Sequence, residues 1–202
     1  MKRYIAVAGN MGSGKTSLVE FLCRRYHLKP FYEPNDTNPY LKDFYQDMQR
    51  WAFHSQIYFL THKFRLHRDL ERYPGTVIQD RTIYEDAEIF ARNLFNSGMM
   101  SRRDWKTYLE LYNTIRADLT PPDILIYLRC SVRTMKKRIR MRGRGMEQQI
   151  PTSYLQKLDR LYRRWMARYD LSPVVVVESD RLDYVTDLVH RIDLLQAIEK
   201  IL

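Results

Sequence analysis

Residues Gly9–Thr16 read GNMGSGKT, with the apolar run Tyr4-Ile5-Ala6-Val7-Ala8 before them and the helix-like stretch SLVEFLCRRY after them. A strand that breaks into a glycine-rich loop and resumes as a helix is the setting of a phosphate-binding loop. Gly9, Gly12 and Gly14 permit backbone conformations that a Cβ resists, so successive N–H groups can converge on one anion. The positive end of the following helix adds to the attraction. In this reading Gly9, Asn10, Met11, Gly12, Ser13, Gly14, Lys15 and Thr16 cradle a nucleoside triphosphate. Lys15 reaches the β and γ phosphates, and the Thr16 hydroxyl sits on the Mg²⁺ that bridges them.

The chain of 202 residues is long enough for one sizeable α/β domain, expected to span residues 1–202, with a core that needs neither disulfides nor a structural metal. Its two cysteines, Cys23 and Cys130, lack metal-ligand spacing and suit a reducing compartment. The first strand begins at once and no apolar run reaches membrane-spanning length, so the expectation is a cytoplasmic protein with no signal peptide and no membrane partner. The formal charge of +10 raises the question of nucleic acid. Part of that charge is concentrated in RTMKKRIRMRGRG, Arg133–Gly145. Arginines that close over phosphates account for this segment more simply, and a nucleic-acid partner is not expected.

Short, mostly β-branched runs at Tyr4–Ala8, Pro30–Tyr32, Thr76–Gln79, Ile124–Leu128 and Val174–Val177 alternate with helical patterns. That is the pattern of a parallel sheet buried on both faces. Helices are expected at Trp51–Leu70, Tyr84–Asn96, Arg103–Leu119, Val132–Met141, Ser153–Tyr169 and Tyr184–Ile201. The implied fold is a P-loop NTPase-type α/β sheet of about five parallel strands flanked by helices, with an arginine-rich lid at about 138–150. Ligands of such sheets collect above the carboxyl ends of the strands. The second strand runs into Tyr32-Glu33-Pro34 and the third into Asp80-Arg81, so charged side chains arrive at the same end as the loop.

Beyond the loop, the Glu33-Pro34 pair, NPYLKDFYQDMQRWAFHSQ from Asn38 to Gln56, DRTIYED from Asp80 to Asp86 and RMRGRGMEQQIP from Arg140 to Pro151 occur in this order. With these motifs the chain resembles, nearly end to end, the deoxynucleoside kinase family, and within it the bacterial deoxyadenosine and deoxyguanosine kinase type. The resemblance implies transfer of a phosphoryl group from ATP, with Mg²⁺, to the 5′-hydroxyl of a deoxynucleoside substrate by a homodimer. It implies that Glu33 accepts the proton of that hydroxyl, that Arg81 holds Glu33 and the 5′-oxygen in register, and that Asp80 contributes to the Mg²⁺ shell. Such a base mainly orients the hydroxyl, since the transition state is loose and cations absorb its charge.

The resemblance further implies that Tyr45 and Glu147 hydrogen-bond the 3′-hydroxyl, that Gln56 and Asp86 read the edge of the base, and that Phe90 stacks on its face, with Phe44 and Met11 nearby. Arg138, Arg142 and Arg144 would be the lid arginines, Arg142 gripping the transferring phosphoryl group; guanidinium forks suit phosphate oxygens. Four positions depart from the family pattern. Lys63 stands where relatives often carry an arginine near the base, and from there it could donate to a purine. Asn38 replaces a tryptophan of pyrimidine-accepting relatives, which favours purines. Met146 replaces a second glutamate beside Glu147, and Thr82 replaces a serine. Adenine and guanine both fit this pattern. The alternatives are a pyrimidine or broad-specificity kinase on the same scaffold, a nucleoside monophosphate kinase, and a P-loop ATPase or switch without an acceptor.

Overall fold

The computed structural model describes residues 3–32, 37–148 and 150–180. Strands β1 (Tyr4–Gly9), β2 (Lys29–Phe31), β3 (Val77–Asp80), β4 (Ile124–Arg129) and β5 (Val174–Glu178) form one sheet in the order β2-β3-β1-β4-β5. Every pairing is parallel, with Val7 opposite both Asp80 and Ile126. All six residues of β1 are buried, which explains why this strand is continuously apolar and does not alternate. Tyr4, Ala6 and Ala8 join one core, and Ile5 and Val7 join the other with Leu18, Val19 and Leu22 of the first helix. The period of two along the strand thus feeds both faces.

Each predicted strand is present, with every boundary shifted by one residue or less. The helices are α1 (Lys15–Tyr26), α2 (Leu41–Gln46), α3 (Met48–Arg72), α4 (Ile83–Glu85), α5 (Arg92–Asn96), α6 (Arg102–Ala117), α7 (Val132–Arg142) and α8 (Thr152–Met166). Helix α3 starts earlier than its apolar pattern, because the Asp47 side chain accepts from Arg50 N and caps the first turn. Ser101 and Ser131 do the same for α6 and α7. The short α2 was not anticipated, and the single helix expected over Tyr84–Asn96 proves to be α4, a π turn over Asp86–Ala91, and α5. The helix expected at Tyr184–Ile201 lies outside the described residues. Among the described residues no helix is long and apolar enough to cross a membrane.

Candidate active site

The loop between β1 and α1 lies at the carboxyl end of the central strand. Gly14 precedes α1 with φ 97° and supplies no side-chain cap, so the first N–H groups of the helix remain directed at an incoming anion. Asn10 braces the loop from within: its Oδ1 accepts from Met11 N (2.8 Å) and its Nδ2 donates to Leu155 O of α8 (3.1 Å). Lys15 Nζ donates to the Gly9 and Asn10 carbonyls at 2.8 and 3.1 Å. Gly12 has φ 74°, and a Cβ there would stand 2.6 Å from the Met135 carbonyl. Gly12→Ala is therefore expected to destabilise the fold by about 1–3 kcal/mol. In urea titrations the midpoint should fall at constant slope, and an unchanged midpoint would count against this strain.

At the end of β3, Asp80 Oδ2 accepts from Thr16 Oγ1 at 2.7 Å, while buried Asp80 Oδ1 has no hydrogen-bond partner among the described residues. A hydroxyl and a carboxylate beside a phosphate cradle form a hard oxygen donor set, which fits Mg²⁺. Arg81 follows with a left-handed backbone, φ 65°, uncommon for a residue with a Cβ. Its N–H donates to Val7 O (3.1 Å) and its carbonyl accepts from Lys63 Nζ (2.6 Å). Its guanidinium lies 4.4 Å from the Phe90 ring centroid, and its Nε lies 3.7 Å from Glu85 Oε1. Strain of this kind survives only where the surroundings over-determine it.

Lys63 corrects an expectation. Read from the sequence as a donor to a purine, it is fully buried in α3, with its ammonium on the Arg81 carbonyl and 3.9 Å from Asp86 Oδ2. The long stem carries the charge under the strand end, and Asp86 is the member of that pair that reaches the cavity. Asn38 is likewise committed locally: its Nδ2 donates to Ser55 Oγ (3.1 Å) and its Oδ1 accepts from Tyr40 N (3.0 Å).

A cavity of about 630 Å³ joins these parts. Met11, Gly12, Lys15, Thr16 and Asp80 from the loop and the end of β3 line it together with Phe44, Tyr45, Gln56, Asp86 and Phe90. Arg81 stands with both groups, and Arg142, Arg144 and Glu147 line the cavity as well. Buried Gln56 Oε1 has no hydrogen-bond partner among the described residues, as expected of an amide that a ligand would satisfy. The π turn carries both Asp86 and Phe90, and such irregular turns recur at functional sites.

On the lid side, Arg142 pairs with Glu147, and Arg144 NH1 lies 3.7 Å from Glu147 Oε1. Helix α7 stops at Gly143, whose left-handed φ of 71° sends the chain into the 3-10 turn Gly145–Glu147. Arg138 stands apart from these arginines. It clamps two carbonyls, donating from NH1 to Ser13 O (3.0 Å) and from NH2 to Ser179 O (2.6 Å). Glu33 lies outside the described residues.

Some lining residues were not foreseen. Tyr154 of α8 faces the cavity, and burial pushes its phenol up to about 12 despite the opposing pull of Arg81. It therefore remains a neutral hydroxyl at physiological pH. Phe59, three residues after Gln56 on α3, also lines the cavity and was legible only as part of an apolar helical face.

A strand, a glycine-rich loop and a helix, with a cavity that runs from the loop to Gln56, Asp86 and Phe90, define the P-loop phosphotransferase class. Comparison with known proteins narrows the class. The family model described as deoxynucleoside kinase matches residues 5–202. The chain is 39% identical over 187 residues to the deoxyadenosine/deoxycytidine kinase of Bacillus subtilis, covering 91% of this chain and 85% of that protein. It is 36% identical over 207 residues to a deoxyguanosine kinase of Lactobacillus acidophilus, covering 98% and 90%. A solved structure of deoxyadenosine kinase from M. mycoides with bound dATP superposes with a TM-score of 0.84 at 31% identity, covering 96% of this chain and 99% of that one. The chain belongs to the deoxynucleoside kinase family and is a kinase.

Proposed function

We propose that this kinase transfers the γ-phosphoryl group of ATP to the 5′-hydroxyl of a purine deoxyribonucleoside, in nucleotide salvage. The observation that carries this reading is a cavity lined both by the glycine-rich loop and by an amide, a carboxylate and an aromatic face. An amide offers both a donor and an acceptor to a base edge, and the Asp86 carboxylate accepts from amines. Tyr45 and Glu147 would bind the 3′-hydroxyl, Arg81 and Arg142 the transferring group, and Glu33 would accept the proton. Thr16 and Asp80 would hold Mg²⁺, which supplies charge neutralisation on the phosphates when bound. Residues 1–202 then act as one kinase domain with a lid at about 138–150, in a cytoplasmic homodimer, with neither nucleic acid nor membrane as partner.

A specific observation favours a second reading, in which deoxycytidine is accepted as well. The B. subtilis relative is a deoxyadenosine/deoxycytidine kinase. Adenine and cytosine both present an exocyclic amine beside an unprotonated ring nitrogen, so one amide and one carboxylate can serve either. Thymine presents a carbonyl where cytosine has its amine, and a carboxylate opposite that carbonyl leaves both acceptors without a proton.

The test is ATP consumption with Mg²⁺ against deoxyadenosine, deoxyguanosine, deoxycytidine, thymidine and deoxyadenosine monophosphate, with a no-acceptor control. Turnover is expected with a purine deoxynucleoside and should be lowest with thymidine among the four nucleosides. Thymidine as the best acceptor would sink the assigned role of Asp86. Equal ATP loss without an acceptor would sink the nucleoside-kinase reading.

A further inference from the structure

Glu85 lies in DRTIYED between Tyr84 and Asp86. It is completely buried, yet it faces charges and donors on three sides. Its Oε1 accepts from the Gly9 amide at 3.1 Å and from the Tyr162 hydroxyl of α8 at 2.5 Å. Its Oε2 closes a capping box with Thr82 at the start of α4. The Arg81 Nε lies 3.7 Å from it, and Lys15 is the second cation acting on it. The other side of Gly9 is held too, because its carbonyl accepts from Lys15 Nζ and lies 2.9 Å from the Tyr162 hydroxyl.

A capping box works as well with glutamine as with glutamate. Here, however, the second oxygen accepts from the Thr82 amide, so a glutamine that keeps its oxygen on Gly9 and Tyr162 turns its NH2 toward that N–H and gives up the box. The two cations, Arg81 first and Lys15 second, call for a negative charge there, and burying that charge is costly. Burial indeed pushes the Glu85 carboxyl up, while Arg81 and Lys15 pull it back down.

We infer that Glu85 is a positioning residue for phosphoryl transfer: its buried carboxylate ties the Arg81 guanidinium to the first glycine of the phosphate-binding loop. The cation that meets the transferring group and the loop that holds its donor are then one rigid piece, as in-line transfer requires. The inference rests on the transfer role proposed above for Arg81.

A double-mutant cycle tests it, read as steady-state kinetics with the best acceptor of the panel. Glu85→Gln should lower kcat about tenfold while both KM values stay within about threefold, since binding surfaces are kept and alignment is lost. Arg81→Ala alone should lower kcat by about 100-fold or more. In the Arg81→Ala background, Glu85→Gln should change kcat by less than about twofold, because its target is gone. An undiminished tenfold loss in that background would overturn the inference, as would a fall in active fraction alone with unchanged kcat per folded site. Wild-type kcat in Arg81→Ala alone would instead remove the role of Arg81, and this inference with it. Glu85→Asp, which keeps the charge but withdraws it by one methylene, is read in the same two backgrounds, so the result does not depend on one variant folding.

Discussion

Lys15→Met is expected to lower kcat/KM for the triphosphate about 1,000-fold while the protein still folds. Methionine keeps the length and the apolar stem but removes the only side-chain cation that the phosphate loop itself supplies. That ammonium is nearly buried and is held beside the loop by the Gly9 and Asn10 carbonyls, within the cradle proposed to take the β and γ phosphates. Preorganised charge in a water-poor site is worth far more than the same charge in solvent, and removing one such donor typically costs 100- to 1,000-fold. The upper end applies here because the negative charge on the phosphates is larger than that of an oxyanion. Deoxynucleoside binding should change little, since the wall proposed to hold it, Gln56, Asp86 and Phe90, comes from α3 and the π turn and not from the phosphate loop. Retention of more than a tenth of wild-type kcat/KM would overturn the assignment of Lys15 to the phosphates.

The readable parts of this site were those in which a local pattern has one physical meaning. Glycine spacing with Lys-Thr after an apolar run announced the phosphate loop, and buried β-branched runs announced all five strands. Asp80 and Arg81 were legible for the same reason, since a strand of known direction fixes which end of the sheet its last residues reach. What stayed hidden depended on distance in three dimensions. Glu85 drew no reading of its own, being one of two adjacent acids in DRTIYED, and nothing in the sequence says that Tyr162 of α8 would bury it. Lys63 was read by its position, but a four-carbon stem let its charge reach the Arg81 carbonyl behind the cavity wall. The π turn leaves no trace in composition, because one extra residue per turn barely alters an apolar face over six residues. Arg138 shared its chemistry with Arg142 and Arg144, and its separation from them followed from where the Ser13 and Ser179 carbonyls lie.

Glu33→Gln should abolish most turnover, with kcat down about 100- to 10,000-fold, the range of general acid–base contributions. It follows the last residue of β2 by two positions, and that residue, Phe31, is paired with Gln79, which immediately precedes Asp80 and Arg81. Strand β2 thus ends beside the strand that carries Asp80 and Arg81, and in sequence Glu33 belongs to the segment that follows it. Glutamine preserves size and hydrogen bonding but cannot take the proton of the 5′-hydroxyl. In the proposed site the triphosphate would be bound by Lys15, Thr16 and the loop amides, so equilibrium titration of ATP should give an affinity within about threefold of wild type. This combination, lost kcat with preserved ATP binding, separates a proton acceptor from a residue that merely holds the strand end together. Parallel loss of both would assign Glu33 to the fold, and preserved kcat would transfer the search for a proton acceptor to the other carboxylates of the cavity.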